Sequence, residues 1–259
     1  MPEVKQTVSL SAERMTEFFH RLQIRKRIVG RNTEKKGVKD STVRTYYSKL
    51  NSFFEWLLKK GLIERNPLAE IKPPEPKYED PKALRKTDIE KIITAITLKS
   101  DSSLMMKRDL TMVNILIFCG IRKGELLGLQ VCDIDLDQAI LTVRPETSKS
   151  KRMRQIPIGH NLMTIIKDYL RERKDYKTEF LIVSTTKDRN LSSHGLKHWV
   201  NRLIKLSGVI FHLHRFRHTF AINLVNRKVS PIKIQKLMGH TDLRMTERYL
   251  RSLGVEDMR

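Results

Sequence analysis

"FHLHRFRHTF", Phe211 to Phe220, places His212, His214 and His218 with Arg215 and Arg217 inside seven residues. Three readings compete for it: a metal site, a phosphate clamp, or a basic helix that is merely histidine-rich. His214 and His218 are spaced i,i+4 and would share one helix face, as zinc-binding histidines can. Against a metal, no glutamate stands between them as in HExxH, no cysteine is near, and Arg215 and Arg217 would repel a cation. The expectation is therefore no metal. The phosphate reading accounts for the arginines as well, since His214 and Arg217 are three apart and point the same way on a helix. The planar arginine fork suits phosphate oxygens and stays charged. The stretch alone does not decide between clamp and plain helix.

Working outward, charge is the next constraint. Lys and Arg number 51 against 29 Asp and Glu, a formal net charge of +22 over 259 residues. A chain that repels itself this strongly usually meets a polyanion, most often nucleic acid. An anionic membrane is the rival partner. Yet there is no 18-residue apolar run, and Met1 to Gly30 has no signal-peptide pattern, so no membrane partner is expected. The basic residues are spread along the sequence, which favours a protein that wraps its ligand. Cys119 and Cys132 are the two cysteines and no CxxC occurs, so a reducing cytoplasm is the expected compartment.

Proline divides the chain. "IKPPEPKYEDPKA", Ile71 to Ala83, carries four of the nine prolines and reads as an extended linker. The expected parts are a helical domain over residues 1–72, a linker over 73–83 and a larger domain over 84–259. In the first, a helix starts after Ser9 or Ser11 and runs to about Arg27. A second starts at Asp40 as N-cap, with Val43, Tyr47, Leu50, Phe54, Leu57 and Leu58 at helical spacing and Gly61 as C-terminal cap. The connector "RKRIVGRNTEKKG" contributes Arg25, Lys26, Arg27, Arg31, Lys35 and Lys36. With Arg44 these are expected to contact DNA phosphates.

The larger domain opens on "KTDIEKIITAI", where Thr87 and Glu90 read as a capping box. A helix follows over Ser103 to Phe118. "DQAILTV" (Asp137 to Val143) and "RQIPI" (Arg154 to Ile158) read as two strands joined by a basic loop. A helix near Asn161 to Arg173, a short strand at "FLIVS" and helices to the C-terminus complete it. The fold class is mostly α with a small antiparallel β-sheet.

Two further motifs join the histidine-rich stretch. In "FCGIRKGELLGL", Phe118 to Leu129, Gly120 ends the preceding helix and Arg122 enters a turn with Glu125 three residues on, able to brace it. The apolar flanks suggest a partly buried arginine, which needs a partner. In "LMGHTDLRMTERYL", Leu237 to Leu250, Gly239 ends a helix, His240 follows, and Tyr249 comes nine residues later among Arg244, Arg248 and Arg251. Together these motifs, in this order, resemble the tyrosine recombinase family, which includes phage integrases and Xer-type resolvases. The resemblance covers about Arg85 to Tyr249, and the small helical domain is similar to the family's core-binding domain.

The resemblance implies a C-shaped two-domain clamp on double-stranded DNA and strand transfer through a 3′-phosphotyrosyl bond and a Holliday junction. The site would be Arg122, His214, Arg217 and His240, with Tyr249 as nucleophile and Glu125 and His218 in support. The family's remaining catalytic group is a lysine on a hairpin turn. Counting back from "IPI" puts it at Lys149, with Lys151 as fallback; Lys151, Arg152 and Arg215 would also touch DNA. No cofactor is expected. Self-association to a dimer or tetramer on paired sites, a possible accessory recombination protein and a cytoplasmic, nucleoid-associated setting follow from the same likeness. Cys119 stands where threonine is common in the family, and Arg215 and Phe216 where Asp-Leu is frequent. The rival functions are a type IB topoisomerase, which relaxes supercoils without joining two sites, and a catalytically silent DNA-binding regulator of the same fold. If His240 to Tyr249 were one helix, the two would lie about 13 Å apart, so a chain break or delivery to another subunit is needed for both to reach one phosphate.

Overall fold

Apolar residues of the sequence gather into separate cores within the two units into which the chain divides, residues 1–79 and 80–259. The computed structural model describes residues 10–29, 32–75, 83–242 and 246.

In the first unit, helix α1 (Ala12–Ile24) starts where the Ser11 hydroxyl accepts from the Arg14 N–H at 3.4 Å. It buries Met15, Phe19 and Leu22, one stripe at helical spacing. It stops three residues short of the expected Arg27, because the chain then becomes a strand. The connector read as a loop is a hairpin: β1 (Lys26–Val29) pairs antiparallel with β2 (Thr33–Lys36), Lys26 opposite Lys36 and Arg27 opposite Lys35. Its β-branched residues were hidden by the density of charge. Asn32 (φ +58°) and Gly37 (φ +68°) supply the left-handed residues the turns need. Helix α2 (Asp40–Lys59) has Lys39, not Asp40, as its N-cap; Asp40 lies in the first turn, where its charge suits the helix dipole. Val43, Phe54 and Leu57 pack with α1 and Leu68, whereas Leu58 stays exposed.

The second unit is built on α4 (Ser103–Cys119), which follows α3 (Lys86–Lys99). The acid that reaches back at the start of α3 is Asp88, whose carboxylate accepts from the Arg85 N–H at 3.2 Å. The capping pair thus lies two residues before the expected Thr87–Glu90, with Arg85 as N-cap. After Gly120 (φ +57°) come the short α5 (Lys123–Leu127) and a 3₁₀ turn, Val131–Asp133. A three-stranded antiparallel sheet in the order β3 (Ile134–Asp135), β4 (Ile140–Val143), β5 (Arg154–Pro157) adds one strand to the two expected. "FLIVS" is no strand: Phe180 and Val183 make isolated bridges to Gln130 and Asn190. Its apolar run reflects burial of Leu181, Ile182 and Val183 in the core, not ladder pairing. Helices α6 (His160–Glu172), α7 (Ser193–Ser207), α8 (Leu213–Asn226) and α9 (Pro231–Met238) follow. Ile115 and Leu116 of α4 share a core with Ile166, Trp199 and Phe216. The fold is mostly helical with small antiparallel sheets. Among the described residues no helix is long and apolar enough to cross a membrane.

Candidate active site

Two glycine turns create the site. Gly120 ends α4 and Gly239 (φ +62°) ends α9, each in the left-handed conformation that favours glycine. A helix C-terminus carries carbonyls without intrahelical partners and the negative pole of the dipole, so cations collect there. Two arginines do. Arg217, on α8 and only 2% exposed, donates from Nη1 to the Gly120 carbonyl at 2.6 Å and from Nη2 to the Met238 carbonyl. Arg122 donates from Nη2 to the next carbonyl, Gly239, at 3.0 Å. The two guanidinium groups therefore hang on consecutive carbonyls of one helix end.

Glu125 fixes Arg122 from the other side. Its carboxylate accepts from the Arg122 backbone N–H at 2.7 Å and from Arg122 Nη1 at 3.0 Å. It also accepts two bonds from Arg154, at 2.9 and 2.7 Å. Arg154 in turn donates Nε to the Leu237 carbonyl at 2.9 Å, and a Cβ added at Gly239 would lie 3.1 Å from its Nη1. Burial would push the Glu125 carboxyl up, but the Arg154 bonds and charge, aided by Arg122, hold it down at about 2. It stays ionised, and three arginines against one carboxylate leave the cluster cationic.

His240 follows Gly239 and is buried; its Nδ1 lies 2.9 Å from Thr246 Oγ1. Burial, then the charges of Arg217, Arg122 and Arg154, depress its imidazole to about 3, so it is neutral at physiological pH. His214, on α8, is lowered as well, by desolvation first and then by Arg217, His212 and Arg122. The His218 ring meets the His214 ring edge-on at 4.7 Å. A cluster of three or more metal-ligating side chains is absent among the described residues.

Arg122, Glu125, His214, Arg217, His218 and His240 are thus brought together. Lys149 and Lys151 lie exposed in the β4–β5 loop. That loop and the end of α9 enclose a cleft of about 460 Å³ lined by Arg152, Arg154, Gln235, Gly239, His240 and Thr241. Tyr249 and Arg31 lie outside the described residues. Of the expected DNA contacts, Arg25, Lys26, Lys35, Lys36, Arg44 and Arg152 are exposed. Arg27 is half-buried and gives Nε to the Gly37 carbonyl at 2.8 Å. Arg215, half-buried, donates Nη1 to Ile210 O at 2.7 Å and Nη2 to Ala83 O at 3.3 Å, bracing the entry to α8.

Residues 82–254 match the model of the phage integrase family. The chain belongs to that family. Tyrosine recombinase XerC of Alcanivorax borkumensis is 31% identical over 229 residues, spanning 86% of this chain and 73% of its own. XerD of Listeria innocua is 29% identical, spanning 83% and 73%. In fold, the Tn1549 transposon integrase solved with a circular-intermediate DNA superposes with a TM-score of 0.76 at 20% identity, covering 94% of this chain and 82% of that one. XerH bound to a palindromic difH substrate superposes at 0.74 and 20% identity, covering 96% and 71%. As a phage integrase family member this chain is a DNA strand-transferring enzyme of the tyrosine recombinase type.

Sequence reading did not single out Arg154. The signal was present: in "RQIPI" the period-2 face holding Ile156 and Ile158 also holds Arg154, and that face is buried. An arginine on the core face of a strand demands a carboxylate, and Glu125 is that carboxylate. Thr246 was missed for want of any local pattern.

Proposed function

We propose that this protein is a site-specific recombinase that cleaves and rejoins duplex DNA with Tyr249 as nucleophile. The observation that carries the reading is the seating of Arg122 and Arg217 on the consecutive carbonyls of Met238 and Gly239, with neutral His240 next in the chain. A phosphodiester placed there meets a cationic, pre-oriented set of donors, the arrangement that stabilises charge growing on phosphoryl oxygens. The Tyr249 hydroxyl oxygen attacks phosphorus as its proton is relayed away through His214 or His240, the bond to the 5′-oxygen breaks, and Lys149 gives that oxygen its proton. The freed 5′-hydroxyl of a partner strand then attacks the phosphotyrosine and restores the tyrosine. One phosphoester replaces another at each step, so no external energy source enters, and no divalent ion or cofactor is invoked. His240, being neutral, donates or accepts a hydrogen bond and does not act as a cation.

Two units joined by a proline-rich segment fit a clamp around duplex DNA. Exchange between paired sites, through a Holliday junction, calls for assembly of dimers into a tetramer. The relatives' names include Xer proteins, consistent with dimer resolution as well as with integration and excision.

The test is a suicide substrate nicked beside the scissile phosphate. Wild-type protein is expected to accumulate a covalent DNA adduct in the presence of a chelator, and Tyr249→Phe to bind the same DNA and form none. An adduct retained by Tyr249→Phe, or none from wild type, overturns the reading.

A further inference from the structure

The hairpin in the first unit is an odd element for a folded protein. A two-stranded sheet standing alone is only marginally stable in water, and this one has little to hold it. Ile28 is 75% exposed, and all four residues of β2 are exposed. Its cross-strand pairs make matters worse. Lys26 faces Lys36 and Arg27 faces Lys35, and like charges directly opposite each other destabilise a ladder. Lys26 has a partial remedy in Glu34, at 2.9 Å on the surface. Lys35 and Lys36 have no ion-pair partner among the described residues.

The register also fixes where the charge points. Directly opposed residues project from the same face, and adjacent pairs project from opposite faces. Lys26 and Lys36 therefore occupy one face, and Arg27 and Lys35 the other. A ribbon resting on the outside of a phosphate backbone would need cations on one face. This ribbon carries them on both, which suits a slot with anionic walls on either side. The major groove of duplex DNA is such a slot, about 12 Å wide and able to admit a two-stranded β-ribbon.

We infer that the β1–β2 hairpin inserts into the major groove of the bound duplex, its two basic faces meeting the phosphate walls on either side. The inference rests on the duplex-binding reading of the protein and deepens it. It makes the hairpin a positioning element remote from the cleavage cluster, and its like-charge pairs a feature that the polyanion relieves.

The test uses the full-length protein, a short mixed-sequence duplex, and the same duplex with glucosylated hydroxymethylcytosine filling the major groove. Three variants are compared with wild type: Lys26→Ala with Lys36→Ala, Arg27→Ala with Lys35→Ala, and all four together. Each pair is expected to reduce the log–log salt slope of binding by about 2, since each phosphate contact contributes about 0.9. Wild type is expected to lose affinity on the groove-filled duplex, and the fourfold variant to lose much less. If one face alone changes the slope, if neither does, or if the groove penalty is the same in wild type and the fourfold variant, the inference is overturned. Circular dichroism of each variant should match wild type, and melting should be no lower, since each substitution removes a like-charge pair. Adduct formation on the nicked substrate reports separately on the recombinase reading: a variant with an unchanged slope that still forms adduct sinks the hairpin and spares the enzyme.

Discussion

Glu125 receives both Arg122 and Arg154, and this double pairing sets how much positive charge the pocket presents. Without Arg154, the carboxylate would draw Arg122 toward itself and oppose the charge of a bound phosphate. Arg154→Met is therefore expected to slow single-turnover cleavage on the order of 10- to 100-fold while leaving DNA affinity within about threefold. Adding Glu125→Gln removes the stranded negative charge, so the double variant should cleave faster than Arg154→Met alone. If Arg154 acts only by anchoring the Leu237 carbonyl, the double variant will be no better, and rapid-quench cleavage assays distinguish the two. Arg217→Ala should lose cleavage and also stability, because the Gly120 and Met238 carbonyls lose their buried donor along with the phosphate. The pH dependence has a definite sign. His240 is depressed from 6.5 to about 3, so below pH 6.5 the unfolded chain takes up a proton the folded one refuses. Glu125, depressed from 4.5 to about 2, adds the same effect below pH 4.5. Both groups contribute stability that is complete above those ordinary values and lost on acidification. Melting temperature should fall from pH 6.5 downward and more steeply below 4.5, and His240→Asn should flatten the upper part of that curve. A curve unchanged by that substitution would assign the acid loss elsewhere.

At the scale of elements, the helix ends matter more than the helices, because α4 and α9 present their last carbonyls to the arginines. Gly120 and Gly61 offer a controlled comparison. Both are left-handed, at φ +57° and +66°, but a Cβ at Gly120 would stand 2.3 Å from Phe220 Cδ1, whereas at Gly61 nothing lies within 4 Å. Gly61→Ala should cost about 1 kcal/mol from backbone strain alone. Gly120→Ala adds overpacking of the Phe220 ring, for a total of about 3 kcal/mol, and should slow cleavage because the carbonyl that holds Arg217 moves. Urea titrations of the two variants check the difference; equal losses would show that the ring gives way freely. These turns were legible in the sequence because glycine at a helix end has one physical meaning, and so were α4, a long apolar run closed by Gly120, and α6, whose buried Leu162, Ile166 and Tyr169 keep helical spacing. What stayed hidden was decided by distant partners. The hairpin of residues 26–36 carries its strand signal in a few β-branched residues among many charges. "FLIVS" looks like a strand, since a continuous apolar run reads alike whether it is paired or simply buried. Nothing local reveals that Ile210 and Ala83 offer their carbonyls to Arg215. Of the site, Arg122, Glu125, His214, Arg217 and His240 were readable as motifs, yet their convergence on one helix end is a property of the tertiary fold.

For the molecule as a whole, the net charge of +22 and the division into two units bear on the same question, how affinity for DNA is distributed. The second unit closes its own core, from Leu84 to Phe216 with a neighbouring cluster from Phe220 to Met238. The first closes another around Phe19, Phe54 and Leu68. Hydrophobic burial dominates folding, so residues 80–259 expressed alone should fold, with a melting temperature within a few degrees of the corresponding transition in the full chain. Affinity should behave otherwise. It comes largely from counterions released as each basic side chain meets a phosphate, and those contacts add across units. Removing residues 1–79 discards Arg25, Lys26, Arg27, Lys35, Lys36 and Arg44, of which all but the half-buried Arg27 are exposed. The salt slope of binding to a mixed-sequence duplex should therefore fall by about 4 or more, at about 0.9 per lost phosphate contact. The cationic cluster of Arg122, Arg154 and Arg217 remains intact in the shorter chain, so its residual slope should stay clearly above zero. A shorter chain that melts cooperatively but keeps the full slope would place the whole DNA contact on residues 80–259, and the basic surface of the first unit would then need another partner.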